Sequence, residues 1–198
     1  KALELAPDDA RAQAVALNHS LFGCQWTRTK QLAAAVAAAT DAALAAGRRP
    51  AESPFLSVIR DPDPQRNLAV ARAWSINLNQ LGGAVPGAKK PRSGSPRLVV
   101  GYLSGDFFDH ATARLMTGLL EAHDSRQFDV RAYSYGPDDG SPLRRRITAA
   151  TTDFVDLRVL DDADAARRIA GDGVDILVDL KGYTRGGRLG ICACRPAP

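Results

Sequence analysis

Arg97-Leu98-Val99-Val100-Gly101-Tyr102-Leu103 runs directly into Ser104-Gly105-Asp106-Phe107-Phe108-Asp109-His110. The first seven residues form a short, nearly continuous apolar run, as strands buried on both faces do. The change to polar residues and glycine marks a loop. Beyond it, Thr112 to His123 reads as a helix and Phe128 to Tyr135 alternates like a strand. Pro142 to Thr151 is helical, and Phe154 to Leu157 forms a short strand. Asp161 to Ala170 is a helix capped by Asp161 or Asp162 and ended by Gly171. Val174 to Leu180 is a further buried strand. Strands that alternate with helices build βαβ units and a parallel sheet. Residues 97–198 therefore read as half of a doubly wound α/β domain.

The chain upstream has another texture. Ala and Leu dominate it up to about Gly82. Leu3, Leu5 and Ala6 end one helical segment, and Pro7-Asp8-Asp9 stops it and starts the next. Ala10 to Phe22 places Ala14, Leu17 and Leu21 on one face. Leu32 to Ala45 is a third helix, closed by Gly47. Pro50, Pro54, Pro62 and Pro64 break the chain. Gln65 to Leu81 is a fourth helix, with Leu68, Ala71, Trp74 and Leu78 in register. Residues 1–82 are thus all-α. Residues 83–96, rich in Gly, Pro, Ser and Lys, form a linker that carries the domain boundary.

Composition narrows the function classes. The 198 residues are 45% hydrophobic, which argues against intrinsic disorder. Net charge is +4, but Lys and Arg are dispersed and aromatics make up only 6%, so a nucleic-acid partner is not expected. Lys89, Lys90, Arg92 and Arg97 read as a solvated linker, and Arg144 to Arg146 as a solvated helix start. Three Cys exclude a disulfide scaffold. Cys192 and Cys194 lack the spacing and the nearby His of a zinc site, so free thiols in a reducing compartment are expected and no metal is. The apolar run Leu32 to Ala46 is too short to cross a bilayer. A cytoplasmic protein without a membrane partner is the expectation. The start at Lys1 and the stop at Arg195-Pro196-Ala197-Pro198 read as the cut ends of a section.

In open α/β sheets, ligands bind beyond the carboxyl ends of the strands. Two loops qualify: Ser104 to His110 and Lys181 to Arg188. The first lacks G-x-G-x-x-G, so a dehydrogenase fingerprint is absent, and no P-loop is present. His110 stands at a helix start, where the dipole favours the neutral imidazole. There it either works on a hydroxyl proton or merely caps the helix. His19 and His123 read as structural or solvated. The second loop offers Lys181, Thr184, Arg185 and Arg188 among glycines, which suits a phosphate or sugar hydroxyls or a plain basic turn. Asp172 reads as a helix terminator. Asp179, near the end of a buried strand, needs a partner, either Lys181 or the backbone of the first loop.

These residues carry a resemblance. Gly101, Tyr102, Ser104, Asp106, Phe107, His110, Leu115 and Met116 match the Gly-Tyr-x-Ser-x-Asp-Phe-x-x-His-x-x-x-x-Leu-Met pattern of O-linked N-acetylglucosamine transferases. Gly136-Pro137-Asp138-Asp139-Gly140 resembles that family's Ser-Pro-Asp-Asp-Gly segment. Leu177-Val178 followed by Gly182-Tyr183-Thr184 resembles its Leu-Val-x-x-x-Gly-Tyr-Thr segment, and Arg195-Pro196-Ala197-Pro198 matches too. Lys1 to Asp9 looks like the end of a tetratricopeptide repeat. Cys24-Gln25-Trp26 resembles the Cys-x-Trp that follows the repeats in bacterial and SPINDLY-like members. The family often carries other residues at the Lys181 position.

The resemblance implies a GT-B glycosyltransferase with a tetratricopeptide-like helical approach. This chain would hold the repeat remnant and part of the N-terminal Rossmann-like lobe. The second lobe, which binds most of the nucleotide sugar, would lie outside it, leaving the fragment inactive alone. The implied reaction moves N-acetylglucosamine from UDP-N-acetylglucosamine to Ser or Thr hydroxyls of proteins, with inversion and without a metal or cofactor. Its partners are then a nucleotide-sugar donor and protein or peptide acceptors. His110 is implied as the catalytic residue. Ser104, Asp106, Asp179, Lys181, Gly182, Tyr183 and Thr184 are implied for substrate binding. A relative using another donor, such as GDP-fucose, and a non-catalytic repeat-based binding module are the alternatives.

Overall fold

The computed structural model describes residues 2–81 and 97–198. It divides into two compact units, Lys1–Asn77 and Leu78–Pro198. The linker expected at 83–96 lies outside the described residues.

The first unit is helical. α1 (Ala2–Leu5) is followed by α2 (Ala10–Phe22), whose start is set by Asp9: its Oδ1 accepts the Ala12 N–H at 2.6 Å. α3 (Trp26–Ala45) begins six positions before the expected Leu32. Its first turn has no apolar periodicity, and a Thr29–Ser20 hydroxyl contact at 2.9 Å ties it to α2 instead. Ala14, Leu17, Val36 and Leu56 form the core of this unit. The proline-rich stretch holds a helix that periodicity does not show, α4 (Pro54–Arg60). Ser53 caps it at Leu56 N–H and Pro54 occupies its first turn, where a missing N–H costs nothing. Pro64 likewise opens α5 (Pro64–Leu81). On α5 Val70 is fully buried, whereas Leu68 of the expected face is exposed. Glu52 is fully buried; it takes two hydrogen bonds from Arg60 at 2.6 and 3.0 Å and one from Thr40 at 2.9 Å. Its carbonyl accepts the Trp74 indole N–H.

The second unit is a four-stranded, all-parallel sheet in the order β3-β2-β1-β4. The strands are β1 (Leu98–Ser104), β2 (Phe128–Ser134), β3 (Asp153–Asp156) and β4 (Ile176–Asp179). The intervening helices are α6 (Ala111–Glu121), α7 (Pro142–Ala150) and α8 (Asp162–Gly171), and α9 (Leu189–Ala193) follows. Val100, Tyr102, Ala132 and Val130 pack with Ala113, Leu120 and Ile147 of α6 and α7. Val99, Leu103, Tyr133 and Val155 pack with α8 and α9 through Ala165, Ile169 and Ile191. Helices therefore cover both faces, as the alternation of apolar runs predicts. Gly101 keeps the second face close, since a Cβ there would stand 2.8 Å from the Tyr133 ring. β4 departs from the expected buried strand: it is an edge strand among the described residues, and Ile176 is exposed.

The strand order locates the functional edge. β2 and β3 lie on one side of β1, and β4 lies on the other. The chain reverses its winding between β1 and β4, so the loops after these two strands flank a topological switch point.

Candidate functional site

The loop after β1, residues 105–110, is held from three sides. Ser104 is fully buried and its Oγ accepts the Asp106 N–H at 3.0 Å. Phe107 is fully buried and meets Phe154 edge-on at 6.1 Å. Arg144 corrects the expected solvated helix start. It is buried, its Nη1 donates to the Phe107 carbonyl at 2.9 Å, and its guanidinium covers the Phe154 ring. Its Nε pairs with Asp138 at 3.0 Å. The neighbouring Asp139 accepts the Asp109 N–H at 2.8 Å. That backbone contact, more than the one from Ser141, holds the Asp139 carboxyl below the usual carboxylate range. The Pro-Asp-Asp-Gly segment thus serves as scaffold for the first loop.

This scaffold delivers His110 to the N-cap of α6. Its Nδ1 accepts the Thr112 N–H at 3.1 Å and stands 3.7 Å from Asp106 Oδ2. Phe108 flanks the ring at 5.4 Å. Nδ1 must be unprotonated to accept that bond, so a neutral ring carries its proton on Nε2. The side chain is 41% exposed, and Nε2 has no partner among the described residues.

The loop after β4 is a turn organised by Asp179. Its Oδ1 accepts the Lys181 N–H at 3.0 Å and its Oδ2 the Gly182 N–H at 2.9 Å. Gly182 has φ of +51°, which a residue without Cβ adopts freely. The Thr184 hydroxyl donates to the Lys181 carbonyl at 2.7 Å, which leaves its lone pairs for a ligand. Tyr183 is half-buried. Asp179 therefore finds its partners in its own loop, not in the first loop and not in the Lys181 ammonium. That ammonium turns to Asp106 and donates to both carboxylate oxygens at 2.9 Å. Thr112 Oγ1 adds a longer contact to Asp106 at 3.4 Å. The two loops are thereby joined by an ion pair that is largely shielded from water on both sides.

The remaining expected site groups divide. Arg188 is committed to the scaffold, donating to Asp162 at 2.7 Å and to the carbonyls of Leu157 and Leu160. Arg185 is exposed. Asp172 caps the end of α8 and also accepts the Tyr133 hydroxyl at 3.0 Å. His123 is structural: its Nε2 meets the Tyr102 hydroxyl at 2.9 Å and its ring packs on Phe128. Cys24, Cys192 and Cys194 are unpaired. Among the described residues no group of His, Cys, Asp and Glu has the arrangement of a metal site, and no helix is long and apolar enough to cross a membrane.

Sequence reasoning read Arg144 as part of a solvated helix start and Asp139 only as part of a resembling segment, and gave neither a place at the site. Only the Asp106-to-His110 loop lying against them reveals their task. One signal was available for Arg144: it stands one helical turn after the Ser141 cap, on the inward face with Ile147.

The chain has clear relatives. The profile of glycosyl transferase family 41 matches residues 24–198. The UDP-N-acetylglucosamine–peptide N-acetylglucosaminyltransferase of Caenorhabditis elegans is 40% identical over 103 residues, which is 52% of this chain and 9% of that protein. A probable enzyme of the same name from Arabidopsis thaliana, SEC, is 28% identical over 158 residues, 75% of this chain and 16% of that one. The probable SPINDLY enzyme of Hordeum vulgare is 33% identical over 130 residues, 64% of this chain and 14% of that one. The chain thus spans less than a fifth of the length of these relatives. A solved mutant of the Thermobaculum terrenum O-GlcNAc transferase shares the fold with a TM-score of 0.61 and 24% identity, covering 99% of this chain and 44% of that one.

Proposed function

Because the chain belongs to glycosyl transferase family 41, we propose that it supplies one wall of the active site of a protein O-glycosyltransferase. The donor in this reading is UDP-N-acetylglucosamine and the acceptor a Ser or Thr hydroxyl of a protein. The hydroxyl oxygen attacks the anomeric carbon, the bond from that carbon to the diphosphate breaks, and the centre inverts. The hydroxyl proton passes in the same event to an oxygen of the departing diphosphate, which has just gained the bond's electron pair. Positive charge and helix N-termini stabilise the departing diphosphate, so the reaction needs no metal or cofactor.

The observation that carries this reading is His110, with Nε2 open at the switch point beside the Asp179–Thr184 turn. With Nδ1 engaged by Thr112, Nε2–H donates a hydrogen bond and orients the acceptor oxygen. Acting as a base at Nε2 would first require a proton on Nδ1, which abandons the cap and turns toward Asp106 Oδ2 at 3.7 Å. Thr184 and the Gly182 backbone are the sugar-facing groups, with Tyr183 beside them. Ser104, Asp106, Asp179 and Lys181 hold these groups in place. Three unpaired thiols support a reducing, cytoplasmic setting. The partners are the nucleotide sugar and protein acceptors, with no role for nucleic acid or membrane.

The test is His110→Ala in the complete protein, assayed with UDP-N-acetylglucosamine and with GDP-fucose on acceptor peptides. Loss of at least a hundredfold in transfer is expected. Near-normal transfer by the variant removes His110 from the mechanism. Transfer by the wild type from GDP-fucose alone would replace the donor, and none from either would favour a non-catalytic binding module.

A further inference from the structure

Tyr135 follows β2 and lies where both loops meet. Its backbone N–H continues the strand pairing to the Ser104 carbonyl at 3.1 Å. Its ring lies against Gly105 so closely that a Cβ on that glycine would stand 2.7 Å from the ring edge. The Arg188 guanidinium covers the ring at 5.6 Å. The side chain therefore touches the loop after β1 on one side and the end of the loop after β4 on the other.

Its hydroxyl is buried and makes no hydrogen bond among the described residues. Its surroundings are nonetheless polar. Burial first, then the Asp179 carboxylate, push the phenol up to about 12, while the backbone N–H groups of Arg188 and Gly105 act on it in the opposite sense. The hydroxyl thus feels an N–H group of each loop and the carboxylate of the Lys181–Gly182 turn. None is in hydrogen-bond geometry. A buried hydroxyl left unmatched weakens a fold, and such groups persist where function uses them.

We propose that Tyr135 is a positioning residue whose hydroxyl latches the two loops when substrate is held. In the latched state it accepts the N–H groups of Gly105 and Arg188 and donates to Asp179, drawing the sugar-facing turn toward His110. The role rests on the transferase reading given above.

The test is Tyr135→Phe in the complete protein, with steady-state transfer and thermal unfolding measured on the same samples. Phe keeps the ring packing and removes only the hydroxyl. A latch predicts opposite movements: an unchanged or higher Tm without substrate, and kcat lowered about tenfold with both KM values changed less than twofold. Equal kcat in the variant reduces Tyr135 to packing and overturns the proposal. A lower Tm shows that the hydroxyl is already bonded in the resting state, and also overturns it. An inactive wild type overturns the transferase reading and this role with it, whereas an active wild type with an equally active variant overturns this role alone.

Discussion

Lys181 Nζ donates to both carboxylate oxygens of Asp106 at 2.9 Å, joining loops that leave β1 and β4 seventy-five positions apart in the chain. Asp106 also lies 3.7 Å from the ring nitrogen by which His110 caps α6. The pair therefore sets the separation of the loops and the charge beside His110.

Lys181→Met leaves Asp106 with a buried charge and no ammonium, and is expected to cost about 3 kcal/mol in urea unfolding. Asp106→Asn combined with Lys181→Met should cost less than the sum of the two single changes. Strict additivity in that double-mutant cycle would show that the two side chains do not act as a pair.

His110 caps α6 in addition to its proposed part in transfer, and two substitutions separate these duties. His110→Ala loses the Thr112 cap and is expected to cost about 1 kcal/mol. His110→Asn keeps a capping oxygen, so its stability should stay near wild type while transfer falls as far as in the Ala variant. Recovery of transfer with the cap would assign His110 a purely structural task.

Two glycines in the same unit should respond with opposite signs to alanine. At Gly136 a Cβ would stand 1.8 Å from the Gly105 carbonyl oxygen, in the loop that leads to His110. Gly136→Ala is expected to cost about 2 kcal/mol and to lower transfer. At Gly118, inside α6, a Cβ meets nothing within 4 Å. Gly118→Ala is expected to stabilise by about 0.5–1 kcal/mol. Thermal unfolding of both variants checks the pair of signs.

Burial, then Asp179 and Asp162, push the Cys192 thiol up to about 11 from its ordinary 9.0. Its proton is held in the folded chain and released earlier in the unfolded one. Stability from this group is complete below pH 9 and falls as pH rises from there toward 11. Cys192→Ala should flatten part of that alkaline decline. Alkylation at pH 8 followed by mass spectrometry should find the exposed Cys24 modified well before Cys192 and Cys194. Equal modification of all three would contradict this burial.

The elements of the second unit as far as β4 were legible because each carries its own local signal, whereas α9, five residues long and without a side-chain cap, was not. Apolar runs marked β1 and β4, alternation marked β2, and the caps at Asp161 and Ser141 use side chains within three residues of their partners. α4 was not legible, because the prolines that signal interruption also suit a helix's first turn. The motif around His110 pointed to the loop after β1, and the strand order sets that loop at the topological switch point.

The sequence by itself determined the alternation of helix and strand, the two loops at the carboxyl edge of the sheet, and the position of His110 at a helix start. Only the tertiary structure decided that Lys181 serves Asp106 while Asp179 binds its own turn. It likewise decided that Arg144 is buried under the first loop and that Tyr135 stands between both. The reason is physical. Periodicity and capping are short-range, whereas a long side chain chooses its partner by which loops a parallel sheet brings together, and strand order is not written in any one segment.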